Sequence, residues 1–268
     1  MPLKRDWVEM TSEDFADADP AAWIAVLPVA ATEQHGPHLP VGTDAFIAQA
    51  YLARAQKLLP DTLQASFLPL QAIGTSHEHR GYAGTLTLAP DTLMRALAEI
   101  GESVHRAGIR KLVIANSHGG NVAALDMVAL DLRARLDMLV VACSFARLGY
   151  PHGLFTPAET AHGIHGGDIE TSIMLAARPD LVLTDAAKNF VPGTLAMARE
   201  FKWLGAHAPV GFGWMSQDLN PSGAIGDATL ATAAKGEAAL AFGAKAFVEL
   251  LGEVARFDLA RLAKGPLG

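Results

Sequence analysis

Short apolar runs alternate along the chain with stretches whose apolar positions recur at helical spacing. Residues 23–30 (WIAVLPVA), 64–73, 111–116 (KLVIAN) and 138–144 (MLVVACS) are apolar at nearly every position and too short for typical helices, which predicts strands covered on both faces. Between them, 45–59 has helical character and stops at Pro60, Leu93, Leu97, Ile100 and Val104 keep helical spacing up to Gly108, and 122–136 reads as a third helix. Strands and helices in alternation are the pattern of a parallel sheet with helices on its faces. Further on, 147–164 is irregular, and 165–179 sets Ile169, Ile173, Met174 and Ala177 on one helical face with Asp168 placed as an N-cap. The stretch 184–227 is rich in Gly, Pro and aromatic residues, suited to covering a site or making a subunit contact, and 233–254 is an amphipathic helix burying Phe247, Leu250, Leu251 and Val254. No repeat or linker interrupts this order, so residues 1–268 are read as a single α/β domain.

Composition narrows the classes. With 268 residues, half of them apolar and 18% charged, the chain can bury a sizeable core and is not disordered. A net charge of −7 with scattered basic residues argues against a nucleic-acid partner. No run approaches the ~20 apolar residues of a membrane span, and the start, MPLKRDWVEMTSEDF, has no apolar signal core, so the expectation is a soluble cytoplasmic protein without a membrane partner. Cys143 is the only cysteine and sits in an apolar run, which excludes internal disulfides and thiolate metal sites. Any metal falls to His, Asp and Glu.

Those residues concentrate at three places. Residues 31–46 (ATEQHGPHLPVGTDAF) follow the first strand; Glu33 and His35, two apart, leave the same face of extended chain, and a turn rich in Gly and Pro can bring Asp44 back toward them. A metal or catalytic centre and a merely solvated carboxylate–imidazole pair both remain open readings. In the long polar loop 74–88, His77 is expected in solvent, whereas Ser76, Glu78 and His79 are candidates for substrate contact. His118 lies in a turn between strand and helix, where such folds gather ligands, and Gly119 and Gly120 beside it let the backbone approach a ligand closely. His165 precedes a helix and Glu170 lies near its first turn, where a carboxylate also simply suits the helix dipole.

These blocks together resemble the creatininase (creatinine amidohydrolase) family of metal-dependent amide hydrolases. The match rests on Glu33-Gln34-His35-Gly36-Pro37-His38-Leu39-Pro40 with Thr43-Asp44, on Gly84-Thr85-Leu86-Thr87-Leu88, on Asn116-Ser117-His118-Gly119-Gly120-Asn121, and on His165-Gly166-Gly167 with Glu170-Thr171-Ser172, in the family's order. The resemblance implies a three-layer α/β/α sandwich with a mostly parallel sheet and a two-metal centre at the strand ends. It makes Glu33, Asp44 and His118 ligands of one ion, His35 and a bridging Asp44 ligands of the other, and His165 the catalytic histidine. Zn²⁺ is the first choice of metal, with Mn²⁺ or Fe²⁺ as alternatives. Members acting on creatinine complete the second ion with a glutamate where this chain has Gly120, so Glu170 is the candidate replacement, as ligand and catalytic group. Their substrate-facing aromatic residues fall at Ala146, Ala161 and Gly119, which argues for a different amide, lactam or formamide bond of a small molecule, non-peptide or cyclic, rather than creatinine. The resemblance also implies a homo-oligomer, with a hexamer as one such assembly. A dinucleotide oxidoreductase would need G-x-G-x-x-G and a serine hydrolase G-x-S-x-G, both absent; a non-catalytic metal-stabilised metabolite-binding protein is the remaining alternative.

Overall fold

The structure, a computed structural model, describes residues 4–16, 19, 21–207 and 210–266. Its elements are β1 (Ile24–Val29), α1 (Thr43–Leu58), β2 (Ala65–Phe67), α2 (Pro90–Arg106), β3 (Lys111–Asn116), α3 (Val122–Leu136) and β4 (Leu139–Ser144), followed by α4 (Phe145–Leu148), α5 (Pro157–His162), α6 (Asp168–Ala177), β5 (Asn189–Phe190) and α7 (Thr194–Glu200). The chain then forms β6 (Leu204–Gly205), β7 (Val210–Gly211), α8 (Ser216–Leu219), β8 (Gly226–Asp227) and α9 (Ala233–Arg256). Among the described residues no helix is long and apolar enough to cross a membrane.

Four parallel strands form the central sheet in the order β2-β1-β3-β4. Because side chains alternate across a strand, β1 sends Ile24 and Val26 to a core shared with α1, α6 and α9, and Ala25, Leu27 and Val29 to a core shared with α2 and α3. Val113 and Ala115 of β3 face the first core, Leu112 and Ile114 the second. The sheet is therefore covered on both faces, a three-layer α/β/α sandwich whose strands need apolar residues throughout. The chain leaves β1 toward β2 on one side and later lays β3 on the other. This reversal opens a crevice beyond the carboxyl ends of β1 and β3.

Two expectations shift. The run 64–73 yields only the three-residue strand β2: the Leu68 N–H still donates to the Val26 carbonyl at 2.8 Å, but the next bond comes three residues on, from the Gln71 N–H to the Pro28 carbonyl at 3.0 Å, so the regular two-residue step is lost around Pro69. The stretch 147–164 is less irregular than its sequence suggests, since α5 forms behind Pro157 with Thr156 accepting from the Glu159 amide.

Helix α9 lies close to its neighbours because two glycines a heptad apart leave room. Gly236 sits against the Ser172 carbonyl of α6, and Gly243 against the Tyr51 ring of α1. Gly236→Ala tests this contact: alanine favours a helix by ~1 kcal/mol, but its methyl would overlap a backbone carbonyl that cannot rotate away. Overpacking of this kind costs about 1–3 kcal/mol. Urea unfolding should show net destabilisation; a stabilised variant would mean that α6 and α9 separate freely.

Candidate metal centre

Glu33 and His35 follow β1, and the Glu33 N–H donates to the Val41 carbonyl at 2.8 Å, which closes the loop over the crevice. Gly36 makes the reversal at φ +71°, a conformation other residues rarely adopt. Asp44 stands in the first turn of α1, and His118 two residues beyond β3, where its N–H donates to Asn116 Oδ1 at 3.2 Å. His165 is held from both sides by Ile225, through backbone bonds of 3.1 and 2.6 Å. Glu170 projects from α6 and accepts from the Gly166 N–H at 2.6 Å.

These residues converge. His118 Nδ1 lies 3.2 Å from Glu33 Oε1 and 3.4 Å from Asp44 Oδ2. His35 Nε2 lies 3.7 Å from Asp44 Oδ1 and 3.8 Å from Glu170 Oε2. His79 Nε2 and His165 Nδ1 approach Glu33 Oε1 at 3.3 and 3.7 Å. Glu33 and Asp44 are almost wholly enclosed, at 0% and 1% exposure. Among the described residues, both Glu33 oxygens, His35 Nε2 and Asp44 Oδ2 have no hydrogen-bond partner. Buried polar atoms are rarely left so, because each forgoes its hydration without replacement.

The imidazoles are turned to suit a cation. His35 Nδ1 lies 2.9 Å from the Glu33 carbonyl, and His118 Nε2 2.9 Å from the Thr75 carbonyl. A carbonyl only accepts, so these nitrogens carry a proton in every state of the ring, and His35 Nε2 and His118 Nδ1 are the atoms that become free to ligate once the ring is neutral. The donors group by proximity into Glu33, His35 and Asp44, into His35, His165 and Glu170, and into Glu33, His79 and His165. Carboxylate and neutral imidazole at this spacing are the donor set of divalent Zn, Mn or Fe.

Electrostatics of the metal-free site point the same way. Burial opposes charge on His35, yet the carboxylates of Asp44, Glu170 and Glu33 outweigh it and push the imidazole up to about 9. His118 is likewise raised, burial being overcome by Glu33 and Asp44. Glu170 is pushed up to about 7, by burial first and then by the negative charges of Asp44 and Glu33, despite the counteracting His35. His165 moves down, through burial and the neighbouring His35 and His79. Protons thus occupy the centre where cations would otherwise compensate the carboxylates.

The creatinine amidohydrolase family model matches residues 8–251. The chain belongs to the creatininase family. It is thereby a member of a family of metal-dependent hydrolases. Over 261 residues it is 34% identical to the mycofactocin precursor peptide peptidase of Mycobacterium ulcerans, covering 93% of this chain and 90% of that protein. A manganese creatininase superposes with a TM-score of 0.74 at 25% identity, over 93% of this chain and 98% of that one. A mutant creatininase of Zn–Zn type gives 0.72 at 26% identity, over 93% and 98%.

Within the creatininase frame the expected residues Glu33, His35, Asp44, His118, His165 and Glu170 meet in one centre, and Glu78, His79, Gly119 and Gly120 line the cavity of about 530 Å³ above it. Ser76 departs from its expected place at the substrate: it is fully enclosed, lines no described cavity, and opens the turn at 77–79, with His77 in solvent as expected. Asp168 is not an N-cap either. It is the first residue of α6 and accepts from Ser172 Oγ and Lys235 Nζ, while Glu159 of α5 accepts from the Ile169 amide. Gly120 is packed so tightly that a Cβ there would stand 2.5 Å from Glu78 Oε1 and 2.6 Å from the Thr75 carbonyl. The space beside residue 120 is therefore taken by Glu78, on the outer side of His118. The sequence reading passed over Arg147, His207 and Trp214, which also line the cavity; only the aromatic richness of 184–227 hinted at the last.

Raised histidines give a pH signature. The charged forms of His35 and His118 stabilise the metal-free fold below the ordinary histidine value of 6.5, and for His35 that contribution is lost as pH rises through about 9. Metal binding needs these groups deprotonated, so its stabilisation grows over the same window. Thermal unfolding with chelator should show a midpoint that falls from pH 6.5 to 9, and added Zn²⁺ should raise it more at the upper end. A zinc effect that shrinks with pH would contradict the ligand assignment.

Proposed function

We propose that the protein hydrolyses the C–N bond of an amide other than creatinine, using two divalent ions. The observation that carries this is the convergence of unpartnered buried donors from Glu33, His35 and Asp44 with a bare His165 nitrogen in one cleft. Glu33, Asp44 and His118 would hold one ion, and His35, Asp44 and Glu170 the other. Glu170 supplies the carboxylate that Gly120 lacks, since it is on the His35 side of the centre, whereas Glu78 stands behind His118. When bound, such ions polarise an amide carbonyl and make water a nucleophile near neutral pH.

The chain's own residues supply the rest. His165 gives its Nε2–H to the Gln34 carbonyl at 2.5 Å, which leaves Nδ1 bare and facing the centre. A ring held neutral in this way can take a proton at Nδ1 and return it to the departing nitrogen. That bare base favours turnover over the reading of a metal-stabilised binding protein.

The substrate reading rests on space. A second cavity, of about 710 Å³, adjoins the first, and Ala146, Gly163, Ile164, His165 and Glu170 line both. Ala146 stands where creatinine-hydrolysing members have a tryptophan, so a wall is lowered between the two spaces. An open-chain amide running past His165 fits this cleft better than a small heterocycle. The mycobacterial relative, named as a precursor peptide peptidase, agrees with this reading. We therefore favour a peptide or peptide-like amide over the cyclic or non-peptide bond that the residues alone suggested.

Metal analysis of the purified protein, with an amide panel assayed with and without chelator, tests the reading. Glu170→Ala should lose about one ion per chain; full retention of both would remove Glu170 from the ligands. His165→Asn should keep both ions and lower turnover by ~10²–10⁴-fold. Robust hydrolysis of creatinine by the wild type would overturn the substrate assignment.

A further inference from the structure

Four imidazoles surround the carboxylates, and one of them faces the other way. His35, His118 and His165 each give a ring proton to a backbone carbonyl, of Glu33, Thr75 and Gln34 respectively, and turn the other ring nitrogen inward. His79 has no carbonyl partner. Its Nδ1 lies 2.8 Å from Gln34 Nε2.

The orientation of the Gln34 amide follows from its other partners. The Gly36 N–H, which can only donate, lies 2.9 Å from Gln34 Oε1, and the Gly223 carbonyl, which can only accept, lies 3.0 Å from Nε2. A flipped amide would set donor against donor and acceptor against acceptor. Gly223, at φ +84°, packs directly on this side chain, and a Cβ there would collide with it. The remaining Nε2 hydrogen of Gln34 points at His79 Nδ1, which must accept. The ring proton of His79 then resides on Nε2, 3.3 Å from Glu33 Oε1.

We propose that Gln34 is a positioning residue that fixes the tautomer of His79, so that His79 turns a protonated nitrogen toward the Glu33 carboxylate and is excluded from the metal ligands. By distance alone Glu33, His79 and His165 form a three-donor cluster able to hold a cation. With its inward nitrogen protonated, His79 has no lone pair to offer there. Its N–H instead faces Glu33 Oε1 at 3.3 Å, so the ring stands beside the carboxylate as a neighbour and not as a ligand. A single side-chain amide thereby keeps His79 out of the ligand set.

The first half of this proposal concerns the metal-free protein and holds whether or not ions bind; only the second half rests on the metal reading. Long-range ¹⁵N correlation spectra of the histidine rings in chelator-treated protein read the tautomer directly. His79 should be protonated at Nε2 and bare at Nδ1; the opposite tautomer, or a mixture, overturns the proposal. Gln34→Glu replaces the donor with an acceptor, so the ring should reverse and protonate at Nδ1; an unchanged tautomer in the folded variant removes Gln34 from the role. In protein loaded with ¹¹³Cd, ¹⁵N–¹¹³Cd coupling should appear for His35 and His118 and be absent for His79, and should appear for His79 in Gln34→Glu. Coupling to His79 in the wild type would make it a ligand. His79→Gln, which keeps an N–H donor, should retain the wild-type cadmium content, and loss of an ion from it would contradict the exclusion.

Discussion

Two carboxylates, Glu33 and Asp44, are enclosed at the split between β1 and β3, and the surrounding structure answers to their charge. A buried carboxylate is costly unless it is paired, protonated or bound to a cation. Four imidazoles crowd within ion-pair range of them and a third carboxylate, Glu170, lies 3.8 Å from His35, yet several of their atoms find no partner among the described residues. The backbone around the centre is arranged to keep it that way. Carbonyls of residues 33, 34 and 75 take the outer ring protons of three histidines, so the inner nitrogens stay available. Polar groups are thus spent orienting the donors rather than neutralising them, which suits a centre that divalent ions neutralise.

The same constraint reaches into the packing through α6. This helix brings Glu170 to the centre, and it is pinned at its start by the Glu159 carboxylate and by the Asp168–Lys235 ion pair to α9 at 2.6 Å. Thr171, one residue on from Glu170, contacts His38 Nε2 at 2.9 Å and so ties the helix to the loop after β1. Gly163, Gly167 and Gly226 leave just enough room for Glu159 to lie between α5 and α6. The helix that bears the third carboxylate is therefore fixed to the motif loop, to α5 and to α9 at once.

Much of this was legible in the sequence, for local reasons. The strands at 24–29, 111–116 and 139–144 are apolar throughout because both faces of the sheet are covered, and that pattern needs no knowledge of the partners. Asp44 and His118 were readable because each sits at a strand-to-helix junction, where a parallel sheet places its functional groups. What stayed hidden depends on distant partners. The acceptor for the first-turn amide of α6 comes from Glu159 rather than from the adjacent Asp168, and no local rule foresees it. Gln34 was quoted within the motif without a role, since its partners His79 and Gly223 stand 45 and 189 residues away. Ser76 was misjudged because loop polarity says nothing of which way a side chain is enclosed.

The spread of the ligands along the chain has a consequence for assembly. Glu33, His35 and Asp44 are neighbours in sequence, but His118 waits for β3, and Glu170 for α6 and the helix that clamps it. Until the whole sandwich has closed, the chain offers any cation only an open half-site with water on its free side. Capture of metal by these residues would accordingly be a finishing step, following the closure of the hydrophobic layers rather than seeding it.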